Sequence, residues 1–144
     1  MKAGKWIRRL LGLSVCVGLI GTISAQEAPP RSIGQSVYLP LYSHLWHGDM
    51  KEGRPLRDPL SVLVSIRNTD PQQPLKITSA RYYATQGKPL REFVSAPVTV
   101  APLGTLELFI ERKESEGGSG ANFIVNWQSA TPINPPMIQG VHAD

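Results

Sequence analysis

Cysteine is almost missing from these 144 residues: Cys16 is the only one. It sits in an apolar stretch near the N-terminus, so no disulfide, thiolate nucleophile or cysteine-built zinc centre is available to the rest of the chain. A sustained helical period is missing as well, which argues against a helical domain. No apolar run reaches the 18 or more residues of a membrane span. The Gly-Lys-Ser/Thr ending of a phosphate loop does not occur, and no nucleophile can be paired with a base from sequence.

The first residues have the layout of an export signal. Lys2, Lys5, Arg8 and Arg9 precede an apolar segment over residues 10–23, and Ile23-Ser24-Ala25 offers small residues for cleavage before Gln26. The expectation is a signal peptide over residues 1–25 and a mature protein that is periplasmic or otherwise extracytoplasmic. An uncleaved N-terminal anchor is one alternative. Lipidation of Cys16 is another, although Val15 is larger than the small residue usual before a lipidated cysteine. The four basic residues of this segment account for the whole formal charge of +4. Without them eleven basic residues face eleven acidic ones, so nothing argues for nucleic acid or an anionic membrane as partner.

Residues 26–33, with Pro29-Pro30, read as an extended spacer, and residues 34–144 as one domain. Its strongest segments alternate with period two. Val37, Leu39 and Leu41 share a face, as do Leu60, Val62, Val64 and Ile66, then Leu106, Leu108 and Ile110, then Phe123, Val125 and Trp127. Residues 75–85, 91–94 and 137–142 are weaker strand candidates. Turn residues fall between them at 68–71, 86–88, 101–104, 117–120 and 134–136. About seven short strands at such intervals predict an all-β fold, a single immunoglobulin-like β-sandwich. Pro40 inside the first strand places that strand at a sheet edge or a bulge.

Two overlapping sites stand out in residues 42–50. His44, His47 and Asp49, with His142 as a further ligand from elsewhere, have the donor types that zinc or copper uses. Against this, positions three apart on a strand leave opposite faces, so His44 and His47 converge only if the chain turns near Gly48. Strand parity also puts Tyr38, Tyr42, His44 and Trp46 on one face, a row suited to stacking on a sugar or clamping a peptide. Elsewhere, the glycine-rich stretch over residues 114–120 has the composition of an anion-binding nest, with a flexible hairpin loop as the plainer reading. Glu107 and Glu111, about 13 Å apart along a strand, are too far apart for glycoside hydrolysis.

Val37-Tyr38-Leu39-Pro40-Leu41-Tyr42-Ser43-His44, Ser65-Ile66-Arg67-Asn68-Thr69-Asp70, Arg81-Tyr82-Tyr83 and Gly117-Gly118-Ser119-Gly120-Ala121-Asn122-Phe123 together resemble a family of exported bacterial proteins catalogued only as a domain of unknown function. The resemblance implies bacterial origin and an extracytoplasmic location, and it carries over no catalytic residues. The reading that emerges is a non-enzymatic periplasmic binding module, holding a protein or small ligand by its aromatic face or a sheet edge, with no transmembrane segment in the mature chain. The alternative is a periplasmic zinc- or copper-binding protein centred on His44, His47 and Asp49. No cofactor is identified.

Overall fold

Period-two alternation becomes an inside and an outside wherever the sequence carries it. The computed structural model describes residues 29–144, so the export segment, Cys16 and the beginning of the spacer lie outside the described residues. Ten strands follow one another: β1 (Ser32–Pro40), β2 (His44–Lys51), β3 (Arg54–Pro59), β4 (Ser61–Arg67), β5 (Leu75–Tyr83), β6 (Pro89–Glu92), β7 (Val98–Val100), β8 (Thr105–Ile110), β9 (Asn122–Ile133) and β10 (Met137–Ala143). No helix occurs among the described residues.

The strands form three antiparallel groups. One sheet runs β1-β9-β5-β6, with β7 also paired to β5; a second runs β10-β4-β8; and β2 pairs with β3 alone as a ribbon. Val125 at the middle of the first sheet lies opposite Val37 on one side and Ala80 on the other. In the second sheet Val64 lies between Gly140 and Leu108. As the position of Pro40 requires, β1 is an edge strand.

Both sheets feed one apolar cluster. Val62, Val64, Ile66, Leu108 and Ile110 come from the three-stranded sheet, while Leu75, Ile77, Phe123 and Val125 are among those from the five-stranded sheet, all buried. Each such side chain contributes about 1.5–3 kcal/mol when removed from water. That is where a domain without disulfides must find its stability. One polar group is stranded in this core: Trp127 Nε1 is buried without an acceptor.

Ten strands rather than about seven reflects three elements with little core face. The ribbon β2–β3 turns through Glu52 and Gly53, both at positive φ (52° and 79°), between the paired Lys51 and Arg54. That is the backbone of a two-residue hairpin turn, with glycine where φ must be positive. β2 carries extra residues between His47 and Lys51, where Gly48 also has positive φ (67°) and the register shifts. β7 is only three residues long.

The loop after β4 is built around two buried polar side chains. Asn68 Nδ2 donates to the carbonyls of Gln73 (2.8 Å) and Ala101 (3.1 Å), and its Oδ1 accepts from the Asp70 amide (3.0 Å). Asp70 accepts from the amides of Gln72 (3.0 Å), Gln73 (2.9 Å) and Asn134 (3.2 Å) and from Arg31 Nη2 (2.8 Å). The Gln72 amide, aided by those of Gln73 and Asn134 and by Arg31, outweighs burial and holds the carboxyl at about 2, below its ordinary 3.8. A carboxylate depressed in the fold stabilises it above the unfolded value and loses that contribution as pH falls through the folded one. Thermal melting should therefore show wild type losing stability between about pH 4 and pH 2, with Asp70→Asn less stable at pH 6 and flatter across the acid range. Parallel curves for the two proteins would show that Asp70 is not a linked group.

Candidate functional site

The chain between β1 and β2 shows where strand parity holds and where it breaks. Leu39 and Leu41 are buried while Tyr38 and Tyr42 are exposed, 60% and 41% respectively. After Pro40 the backbone leaves its β9 partner. Leu41 N donates to Ala121 O (2.8 Å), Ser43 N to Gly118 O (2.9 Å), and Ser43 O accepts from Leu60 N (2.9 Å). Ser43 and His44 are then buried in succession, which resets the alternation. Leu45 turns outward, and so does Trp46, which is 51% exposed.

The expected aromatic row is therefore corrected at one position. Tyr38, Tyr42 and Trp46 are accessible, but His44 is inside, with the Trp46 ring meeting it edge-on at 4.8 Å between centroids. Along the ribbon the exposed apolar set continues with Leu45, Met50 and Leu56.

The histidines do not gather. Both ring nitrogens of His44 are buried without partners. His47 Nε2 lies 2.9 Å from Asp58 Oδ2, across the ribbon. His142 Nε2 accepts the Tyr42 amide at 3.1 Å, so the lone pair that a metal would need is already engaged. Among the described residues no three His, Cys, Asp or Glu side chains lie close enough to hold a metal ion. The centre expected from His44, His47 and Asp49 is not assembled, because the turn needed to bring the two histidines together does not fall between them: both remain in β2, three residues apart.

A different cluster, which the sequence pattern does not predict, joins Ser43 to the end of β5 and to the loop after β8. Glu114 Oε2 is 2.7 Å from Tyr82 Oη and 2.9 Å from Ser43 Oγ, and the two hydroxyls are 2.8 Å apart. Glu114 Oε1 accepts the amides of Glu116 (2.6 Å) and Gly117 (3.1 Å). The loop amides that resembled an anion-binding nest are thus turned on a carboxylate from the same loop. Gly117 is there because a Cβ would collide with Tyr82 Oη and Ser43 Oγ. Burial pushes the Tyr82 phenol far above its ordinary value; the Ser43 bond opposes this and the Glu114 carboxylate adds to it. A phenol so held stays protonated and serves as a donor, not as a base.

Beside this cluster opens a cleft of about 770 Å³ between β6 and β8, with Tyr82, Leu90, Phe93, Phe109 and Ile110 in its walls and charged groups from residues 111–116 at one end. Arg91 lies over the Phe93 ring at 4.3 Å. Nothing in the local sequence pattern marks the cluster, since its members are 39 and 71 residues apart.

Two outcomes follow for mutants. Burial, and then the Arg57 charge, lower the His44 pKa below its ordinary 6.5; burial does the same to His142. A histidine kept neutral in the fold destabilises it as pH drops below the unfolded value, so unfolding midpoints should fall between pH 7 and pH 5, and His44→Leu should flatten that decline. An unchanged slope in the variant would exclude His44 as a contributor. Tyr82→Phe removes a hydrogen bond to a carboxylate and should cost about 1.5–3 kcal/mol in urea unfolding; a loss under about 0.5 kcal/mol, the range of neutral surface changes, would show that Glu114 finds another donor.

No curated protein and no solved structure matches the chain. A family model does, described as "Protein of unknown function (DUF3124)", over residues 34–144. That span begins within β1 and takes in every later strand, the ribbon and both walls of the cleft. The chain belongs to this family of proteins of unknown function, DUF3124.

Proposed function

We propose that residues 34–144 form an exported, non-enzymatic interaction module that holds a protein partner through the β2–β3 ribbon. One observation carries this reading: among the described residues the ribbon pairs with no other strand, yet it exposes Leu45, Trp46, Met50 and Leu56. A two-stranded hairpin alone is marginal in water, and this one exposes apolar side chains on both faces, Leu45 and Leu56 on one and Trp46 on the other, a feature of docking surfaces. Neither the 770 Å³ cleft nor a second one of about 460 Å³ includes a ribbon residue. An unpaired ribbon with apolar groups on both faces suits a protein surface better than a small ligand, which wants concavity.

The fold reading that goes with this is an immunoglobulin-like sandwich. In such domains strand B pairs with E in one sheet and C with F in the other. Here β4 pairs with β8 and β5 with β9, which supports the same four-strand centre. The flanks are exchanged: β1 lies beside β9 and β10 beside β4, where the first and last strands would ordinarily take the opposite places. Export to the periplasm through residues 1–25 is part of the proposal, supported by the charge and apolar layout of that segment.

A photo-crosslinking side chain at Met50 or Leu56 in the native envelope should yield one discrete adduct that the same group at Lys76, on β5, does not. Trp46→Ala should abolish that adduct while the purified domain keeps its β-sheet circular dichroism. Equal crosslinking from Met50 and Lys76 would remove the ribbon as the contact surface.

A further inference from the structure

The two sheets differ in width, and the difference leaves a place for one more strand. The larger sheet is four positions across, β1, β9, β5 and then β6 with β7; the smaller has three. β1 lies against β10, so the surplus position falls at the other side, where β6 has no counterpart beyond β8. This is where the 770 Å³ cleft lies, with Leu90 and Arg91 of β6 on one wall and Phe109 and Ile110 of β8 on the other. Among the described residues β4 is the only strand paired with β8.

We propose that the free edge of β8 accepts an extended peptide segment of a partner protein, which adds as a fourth strand and covers the cleft. An unpaired strand edge presents amides and carbonyls at strand spacing, a pattern that another extended backbone matches. The outward side chains of β8 specify the segment further. Glu107 and Phe109 are exposed, and Phe109 is 55% accessible; Glu111 follows at the same parity, with Lys113 Nζ 2.6 Å from its carboxylate in an exposed pair that a basic side chain of the segment would share. A segment with basic, apolar and basic residues at alternate positions meets this row, while its inward side chains enter the cleft above Leu90 and Phe93. Opposite charges across a strand pair stabilise it and like charges destabilise it.

The same row argues against a second copy as the occupant. Two β8 strands paired antiparallel about Glu107 oppose that residue to itself, and paired about Phe109 they oppose Glu107 to Glu111. Paired about Leu108 they set Glu107 against Phe109. None of these registers matches the charges. The site is separate from the ribbon and does not use Trp46.

The test is amide hydrogen exchange on the whole mature protein with a capped heptapeptide, Thr-Lys-Val-Ile-Leu-Lys-Thr, as probe. Expected is saturable slowing within Thr105–Ile110, with binding roughly tenfold weaker when both lysines are replaced by glutamate. The exposed double variant Glu107→Lys, Glu111→Lys should reverse that preference. Equal binding by a peptide with proline at its centre would overturn the proposal, because proline removes a ladder donor. So would slowing confined to β1 or the ribbon, no slowing at all, or slowing that rises with protein concentration alone, which would make the occupant a second copy.

Discussion

A single carboxylate ties together three parts of the chain that meet at one corner of the domain, alongside backbone bonds from Leu41 to Ala121, Ser43 to Gly118 and Thr85 to Gly117. Glu114, in the loop between β8 and β9, meets Ser43 at the β1–β2 corner and Tyr82 near the end of β5. Glu114 is half-buried, and the part of a carboxylate that leaves water is tolerable only when its oxygens are satisfied. Here Oε1 has two amides and Oε2 two hydroxyls. The hydroxyls carry two hydrogens for three short contacts, so their own mutual bond competes with the bonds to Glu114. Gly117 completes the arrangement by having no side chain at the point where the loop presses on Tyr82 and Ser43.

This constraint positions both surfaces that the domain offers. Ser43 is the residue before β2, and its backbone is tied to Gly118 and Leu60, so the ribbon leaves the domain from a corner that is bonded on three sides. Glu114 and Tyr82 also stand in the wall of the cleft. Among the described residues no other strand pairs with the ribbon beyond its root. His44, buried beneath the Trp46 ring, is the place where its apolar side joins the domain.

Legibility in the sequence followed burial. Val62, Val64 and Ile66, or Phe123, Val125 and Trp127, face a core on one side only, so period two is written plainly and the strands are found. The ribbon has no core face, and its polar and apolar residues carry no such pattern. Its turn, Glu52-Gly53, lacks the Asn-Gly or Asp-Gly pair that most often signals a hairpin. Parity puts Tyr38, Tyr42 and Trp46 in one row, while their exposure is seen only in the fold; their place in the row was legible. His44 was not, because two consecutive buried residues at the corner shift the parity that the row assumes. Contacts among Ser43, Tyr82 and Glu114 leave no local trace at all, since strand pairing and loop path decide them.

Charge on an exposed edge is usually read as protection, and β8 shows why that reading is incomplete. Glu107 and Glu111 do keep a second β8 from pairing in two registers, which is protection against self-association. Protection alone would be served as well by a charge in place of Phe109, yet that position, between the two glutamates, is aromatic and more than half exposed. The shorter edge strands on the opposite sheet, β6 and β7, have four and three residues, and brevity already limits what they can pair with. β8 has six and borders the cleft whose walls include Leu90, Phe93 and Phe109. Under the proposed pairing, an edge that opposes like charges to its own copy while presenting an aromatic ring would discriminate among partners rather than refuse all of them, which is how like-charge opposition produces specificity.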